Sequence, residues 1–254
     1  MSSSPSIALV TGASRGLGKS TALHLARLGH DVILTYRSKQ AEANEVVAQI
    51  EAMGRKAVAL ALNVSDSSSF AGFAAQVRES LSAQWGRTTF DVLINNAGTG
   101  THASLMDTTE AQFDELVNVH FKGVFFLTQK LLPLLADGGS IVNLSSGLTR
   151  FALPGFAAYA SMKGAVEVMT RYMAKELGPR RISVNTVAPG AIATDFGGGV
   201  VRDNVQLNTF VASQTALGRV GQADDIGAMV ASLVGPDNGW VNAQRIEVSG
   251  GMFI

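Results

Sequence analysis

Short apolar runs alternate along this chain with longer segments that mix apolar and polar residues at helical spacing. The runs fall at 7–10, 32–35, 57–62, 92–94, 140–144, 182–187 and 245–248. Between them, 19–29, 41–53, 69–83, 110–136, 158–177 and 224–233 read as helices. A continuous apolar run bounded by turn residues fits a strand covered on both faces. Strands separated by helices pair in parallel, with the helices as crossovers. The pattern thus predicts an α/β fold, a doubly wound parallel sheet of about seven strands with helices on both faces.

Two places break the pattern. Pro133 lies inside the fourth helical segment and is expected to kink or end it. Gly197-Gly198-Gly199 and the residues on to Gly218 carry no clean strand signal. We expect a flexible flap there, spanning 191–217, over a single domain of residues 1–254 that no linker divides.

Composition narrows the function. Hydrophobic residues make up 46% and charged residues 16% of the 254, enough for a large core with apolar surface left over for an oligomer. A formal net charge of zero removes the electrostatic argument for a nucleic-acid or anionic-membrane partner. With no cysteine, disulfides, thiolate nucleophiles and cysteine-based metal sites are excluded. The Met1–Ser6 start lacks the features of a signal peptide, and the richest apolar stretch, 123–136, is broken by Gln129, Lys130 and Pro133. A soluble, cytoplasmic protein is expected.

Chemistry enters with Tyr159 and Lys163, four apart in a helical segment and hence on one face. A free phenol has a pKa of about 10, so a tyrosine that donates protons near neutral pH needs a nearby cation, and Lys163 can supply one. At the other end of the chain the first strand runs into Thr11-Gly12-Ala13-Ser14-Arg15-Gly16-Leu17-Gly18 and then a helix. Glycines at a strand-to-helix turn let the backbone approach a pyrophosphate, whose charge the helix N-terminus favours.

The Thr-Gly-x-x-x-Gly-x-Gly spacing resembles the short-chain dehydrogenase/reductase family, and the likeness continues over essentially the whole chain. Asn95-Asn96-Ala97-Gly98, Asn118, Ser146, Tyr159 with Lys163, and Pro189-Gly190 follow in the family's order. The resemblance implies a Rossmann fold and hydride transfer between a nicotinamide and a carbonyl or secondary alcohol. It makes Tyr159 the proton donor, Ser146 rather than Ser145 the group that orients the carbonyl, Lys163 the tuner of Tyr159 and holder of the nicotinamide ribose, and Asn118 the support of a proton-resupplying water chain. Gly12, Ser14, Arg15, Gly16, Leu17, Gly18, Asn95, Ala97 and Gly98 become cofactor contacts. Pro189, Gly190, Ile192 and Thr194 flank the nicotinamide. Asn63-Val64 stands where the family usually has Asp-Val beside the adenine. The family's usual assembly is a homotetramer, built here from 110–136, 158–177 and an apolar tail at 244–254.

Cofactor choice follows from charge. Tyr36, Arg37 and Ser38 replace the acidic residue that NAD-preferring folds place after the second strand. Arg37 and Arg15 are expected to clamp a 2′-phosphate, so NADP(H) is the expected cofactor. No histidine has metal-ligand spacing, and no metal is expected; His24, His30 and His120 read as structural, with His102 a candidate to meet substrate. Leu148, Phe151, Leu153, Phe156 and Phe196 give the substrate side an apolar bias. The substrate is a small-molecule carbonyl or an acyl thioester. Arg180 would suit an acidic carrier protein, as in the 3-oxoacyl-[acyl-carrier-protein] reductases, but Asp137 opposes it. A general ketone, sugar or steroid-type dehydrogenase stays open beside that reading, as does a non-catalytic NADP-binding protein.

Overall fold

The computed structural model describes residues 5–254, so Met1–Ser4 of the start read above for targeting signals lie outside the described residues. Seven strands form one parallel sheet: β1 (Ile7–Val10), β2 (Asp31–Tyr36), β3 (Ala57–Ala61), β4 (Phe90–Asn95), β5 (Leu135–Leu144), β6 (Ser183–Pro189) and β7 (Arg245–Val248). Their spatial order is β3-β2-β1-β4-β5-β6-β7. Flanking them are α1 (Gly16–Arg27), α2 (Gln40–Ala52), α3 (Phe70–Trp85), α4 (Glu110–Leu116), α5 (Gly123–Leu131), α6 (Ala157–Leu177), α7 (Val200–Asp203), α8 (Val205–Ser213) and α9 (Ala223–Leu233).

Successive strand residues point to opposite faces, and both faces are covered. Ala8 and Val10 of β1 join a buried cluster with Leu25 of α1, Val46 of α2 and Val230 of α9. Ile7 and Leu9, on the other face, pack with Phe73 of α3, Leu131 of α5 and Ala174 of α6. Each fully buried large apolar side chain contributes about 1.5–3 kcal/mol, which is what holds helices on both sides. Among the described residues no helix is long and apolar enough to cross a membrane.

Two sequence expectations need correction. The segment read as one helix over 110–136 is four pieces: α4, a π-helical turn at Val117–Lys122, α5 and a 3₁₀ turn at Leu132–Leu134. Pro133, lacking an N–H, ends it, and Leu135 and Ala136 already belong to β5. The stretch after β6 is also more regular than expected, for it contains a 3₁₀ turn at Phe196–Gly199 and then α7 and α8. Its three glycines, Gly197, Gly198 and Gly199, all take positive φ, between 61° and 78°. That conformation suits glycine and interrupts the apolar pattern from which a helix would be read.

From β1 the chain winds outward to β3 and then returns to place β4 on the other side of β1. This reversal opens a crevice at the carboxyl ends of β1 and β4, the place where open α/β sheets bind ligands.

Candidate active site

The turn from β1 into α1 lines one side of that crevice. Gly12 and Gly16 have φ of 64° and 56°, in the left-handed region. A Cβ on Gly12 would lie 2.9 Å from the Ala97 Cα, and one on Gly18 would lie 2.4 Å from the Gly12 carbonyl oxygen. Side chains at these positions would therefore push the two loops apart. Arg15 is the N-cap of α1 but gives it no side-chain hydrogen bond, and the first turn holds no acidic residue. The first amides of α1 are thus available to an anion, and the cradle fits the pyrophosphate of a dinucleotide. Ser14 is half-buried at the loop, whereas Leu17 turns inward against the core.

The loop after β4 is tied to this turn by a residue that the sequence reading passed over. Asn96 donates from Nδ2 to the carbonyls of Thr11, at 2.8 Å, and Gly12, at 3.2 Å. Thr11 Oγ1 accepts from the amides of Asn96 and Ala97, both at 3.0 Å. Asn95, singled out instead, points its buried amide inward to Thr128 Oγ1 and Asn143 Oδ1, at 3.0 and 2.8 Å. Its side chain fastens β4 to β5 and α5. The segment after β6 closes the other end: Gly190 packs so tightly on Ser249 that a Cβ would come within 2.9 Å, and a Cβ on Gly16 would lie 3.8 Å from Thr194. Pro189 ends β6 and Ile192 bridges to Gly221.

At the ends of β2 and β3 lie half-buried Tyr36, exposed Arg37 and Ser38, exposed Asn63 and half-buried Val64. Asn63 uses its amide oxygen locally, accepting from the Ser65 amide and hydroxyl at 3.2 and 3.0 Å. No carboxylate stands at 36–38. Arg15 is not wholly free, because its guanidinium lies 3.8 Å from Asp195.

The chemical groups meet on the neighbouring wall. Tyr159 and Lys163, both buried, project from α6; Ser146 begins the turn after β5; Asn118 lies in the π-helical turn. Such turns recur at functional sites because they re-aim side chains. Burial raises the Tyr159 phenol above its usual value, and the neighbouring Ser146 hydroxyl acts in the opposite, smaller sense. The Lys163 ammonium donates to the Leu144 carbonyl at 2.7 Å and stands 5.6 Å from the centre of the Tyr159 ring. Burial holds its pKa down to about 7. Burial therefore dominates the surroundings of Tyr159, and the phenol rests protonated at neutral pH.

His120, expected to be structural, touches the site. Its ring meets Tyr159 edge-on at 5.1 Å, and its Nε2 lies 2.7 Å from the Thr99 carbonyl oxygen. Burial, followed by the charge of Lys163, lowers its pKa to about 3 and keeps the imidazole neutral. Ser145, the rejected serine, faces away and donates to Glu167 at 2.7 Å.

A cavity of about 330 Å³ opens on the substrate side, lined among others by Leu148, Leu153, Pro154, Phe156 and Ala160. His102 packs edge-on against Phe156 at its rim. Phe196 reaches over Tyr159, the ring centres 5.9 Å apart, and fills the space that a Cβ on Gly100 would need. Phe151 is not part of this lining. It packs against Phe253, in the cluster that joins α8 to the C-terminal tail. Arg180, the candidate carrier-protein contact, is committed to Asp137 at 2.7 Å and to the carbonyls of Leu132 and Leu135. Among the described residues no cluster of His, Asp or Glu could hold a metal ion.

A glycine cradle at a sheet crossover and a serine, tyrosine and lysine gathered beside it are mirrored in known proteins. The sequence model of the family described as enoyl-(acyl carrier protein) reductase matches residues 12–253. The 3-oxoacyl-[acyl-carrier-protein] reductase FabG of Staphylococcus aureus is 38% identical over 249 residues, which cover 97% of this chain and 98% of that one. The chain belongs to the short-chain dehydrogenase/reductase family. The promiscuous reductase LugOII, which catalyses keto-reduction at C1 in lugdunomycin biosynthesis, superposes with a TM-score of 0.93 at 39% identity, covering 98% of both chains. The angucycline C-6 ketoreductase LanV, crystallised with NADP, gives 0.92 at 33% identity, covering 98% of this chain and 95% of LanV. This family member is accordingly an oxidoreductase acting on carbonyl and alcohol groups.

Proposed function

We propose that this chain reduces the carbonyl of an apolar small molecule with NADPH, Tyr159 giving the proton. The observation that carries the reading is the buried Tyr159 phenol, protonated at neutral pH and gathered with Ser146 and Lys163, with an apolar cavity close by whose lining includes the next residue, Ala160. NADPH, when bound, supplies the hydride. Negative charge then develops on the carbonyl oxygen, where the Ser146 and Tyr159 hydroxyls can both donate and Tyr159 can pass its proton on. Lys163, charged below about pH 7, adds a positive field beneath the ring. Asn118, whose side chain makes no hydrogen bond among the described residues, is left to hold water that returns the proton. Exposed Arg37, with Arg15 across the crevice, supports a 2′-phosphate, in keeping with the NADP of LanV. The segment 191–217 acts as the flap, Phe196 covering the reacting centre.

An acyl thioester is the second reading, favoured by the identity to FabG. The first is preferred because Arg180 is already engaged and the cavity lining is apolar. The test is NADPH oxidation with a panel of cyclic and aromatic ketones beside acetoacetyl thioesters, in the wild type and in Tyr159→Phe. The variant is expected to lose about 10²–10⁴ in rate while still binding NADPH. Equal rates in the two proteins would remove Tyr159 from its role, and a strong preference for the thioester would select the second reading.

A further inference from the structure

The turn that carries Ser146 is braced by charged groups that take no part in the reaction proposed above. Glu167 lies four residues after Lys163 and eight after Tyr159, so α6 presents all three on one face. Its Oε1 accepts from Ser145 Oγ at 2.7 Å and from Arg245 Nε at 2.8 Å. The Thr149 hydroxyl lies within donating reach of that same oxygen, at 2.7 Å, and of the Ser146 carbonyl, at 2.9 Å. Arg245 also approaches the Ser146 carbonyl, at 3.4 Å. The residue before Ser146, its own carbonyl and the residue three after it thus all converge on one carboxylate and one guanidinium.

The brace continues outward. Arg245 pairs with Glu247 at 2.9 Å, and Glu247 takes a two-pronged contact from Arg150 at 2.6 and 2.8 Å. Arg150 in turn donates to the carbonyls of Phe253 and Met252, at 2.9 and 2.6 Å. Surface ion pairs are worth little by themselves. Here, however, the Glu167 and Arg245 side chains are only 14% and 25% exposed, and each holds backbone or hydroxyl groups of a single turn.

We propose that Glu167, with Arg245 as its counter-ion, is a positioning residue for Ser146, and that Arg150 and Glu247 extend this brace to the C-terminal tail. A hydrogen-bond donor stabilises a developing oxyanion only where it is held in place beforehand. Ser146 Oγ is itself lightly held: it accepts from the Leu148 amide at 3.2 Å, so its placement depends on the turn. The inference rests on the role given to Ser146 under the proposed function.

The experiment is a double-mutant cycle in the full-length protein, with steady-state ketone reduction by NADPH as the readout. NADPH binding, followed by fluorescence, and thermal melting report on folding. Glu167→Gln should lower kcat by about tenfold to a hundredfold while the KM for NADPH holds. In a Ser146→Ala background the same substitution should cost less than about twofold, because the group it positions is already gone. A purely structural Glu167 would cost the same in both backgrounds, and that result, or an unchanged kcat in Glu167→Gln, overturns the proposal. Should Glu167→Gln fail to fold, Thr149→Val enters the same cycle with the same expectations. If Ser146→Ala alone leaves kcat intact, the role of Ser146 falls and the brace falls with it; a Ser146 effect that is merely additive with Glu167 removes the brace alone.

Discussion

Two titratable groups in this protein, Lys163 and Tyr159, are buried away from water, and their effects on stability run in opposite directions with pH. Lys163 has a folded pKa of about 7 against 10.5 when solvated. Between those values the unfolded chain holds a proton that the folded chain has released, so this group makes stability rise with pH; below 7 both states hold it and the dependence vanishes. Tyr159 works oppositely, since its folded pKa is raised, and above about 10 the unfolded chain ionises first and stability falls. Replacing Lys163 with Met removes the rise. The variant's melting temperature is therefore expected to exceed the wild type's most at pH 6–7, with the gap closing toward pH 10, in melts of the cofactor-free protein across that range. A constant gap would mean that Lys163 is not desolvated. Arg37 acts instead in solvent, past the end of β2, and bears on the cofactor rather than on the fold. A hydrogen bond to a charged group contributes about 1.5–3 kcal/mol, so Arg37→Ala should raise the KM for NADPH about tenfold or more and leave that for NADH unchanged. Initial rates with both cofactors decide it, and equal losses with NADH would place Arg37 elsewhere.

At the scale of elements, the π-helical turn between α4 and α5 carries two residues of the candidate site, Asn118 and His120. Gly123 follows it, and a Cβ there would come within 2.3 Å of the Val64 carbonyl oxygen and 2.8 Å of the Asn118 one. Gly123→Ala must therefore shift either the loop after β3 or the turn that aims Asn118. Overpacking of this kind costs about 1–3 kcal/mol. The melting temperature is expected to drop by several degrees, with reduction slowed as well; a variant that melts and turns over like wild type would show that the turn tolerates a side chain. The apolar run made β1 readable to the residue, because a buried strand needs continuous hydrophobic residues and little else; β7 was equally readable, although it is half-buried and alternates Arg245 and Glu247 with Ile246 and Val248. The glycine loop and the Tyr159, Lys163 pair were readable for a similar reason, since local spacing sets them. The π-helical turn was hidden because no residue type marks a single wider turn. Asn96 and Glu167 were hidden too, since their partners lie 84 or more and up to 78 residues away and are brought near by the fold alone. The pairing of Arg180 with Asp137 is another such case: both charges were visible, their contact was not.

For the whole molecule, the surface poses the question that the composition first raised. Phe121 and Phe125, four apart, are 37% and 41% exposed, and Val168 and Tyr172, also four apart on α6, are 46% and 67% exposed. Phe113 and Phe126 add 42% and 38%. Exposed large apolar side chains in such number on two helical segments are what a contact with another chain would cover. The segments 110–136 and 158–177, which contain α5 and α6, are those from which the sequence reading builds a homotetramer. The C-terminal tail divides: Met252 is buried beneath α8, whereas Ile254 is 91% exposed. Burial at an interface would account for Ile254 as well, since leaving it in water forgoes hydrophobic stabilisation. Because the Arg150 contacts join that tail to the turn of Ser146, assembly and catalysis are expected to respond together. Light scattering on the wild type should give a tetramer. A carboxylate placed in an apolar interface leaves a desolvated charge without a partner. Phe125→Glu should therefore yield smaller species, with a lower melting temperature that no longer depends on protein concentration. A wild type that is monomeric at micromolar concentration would refute the assembly, and it would leave the exposed phenylalanines of α5 without a role.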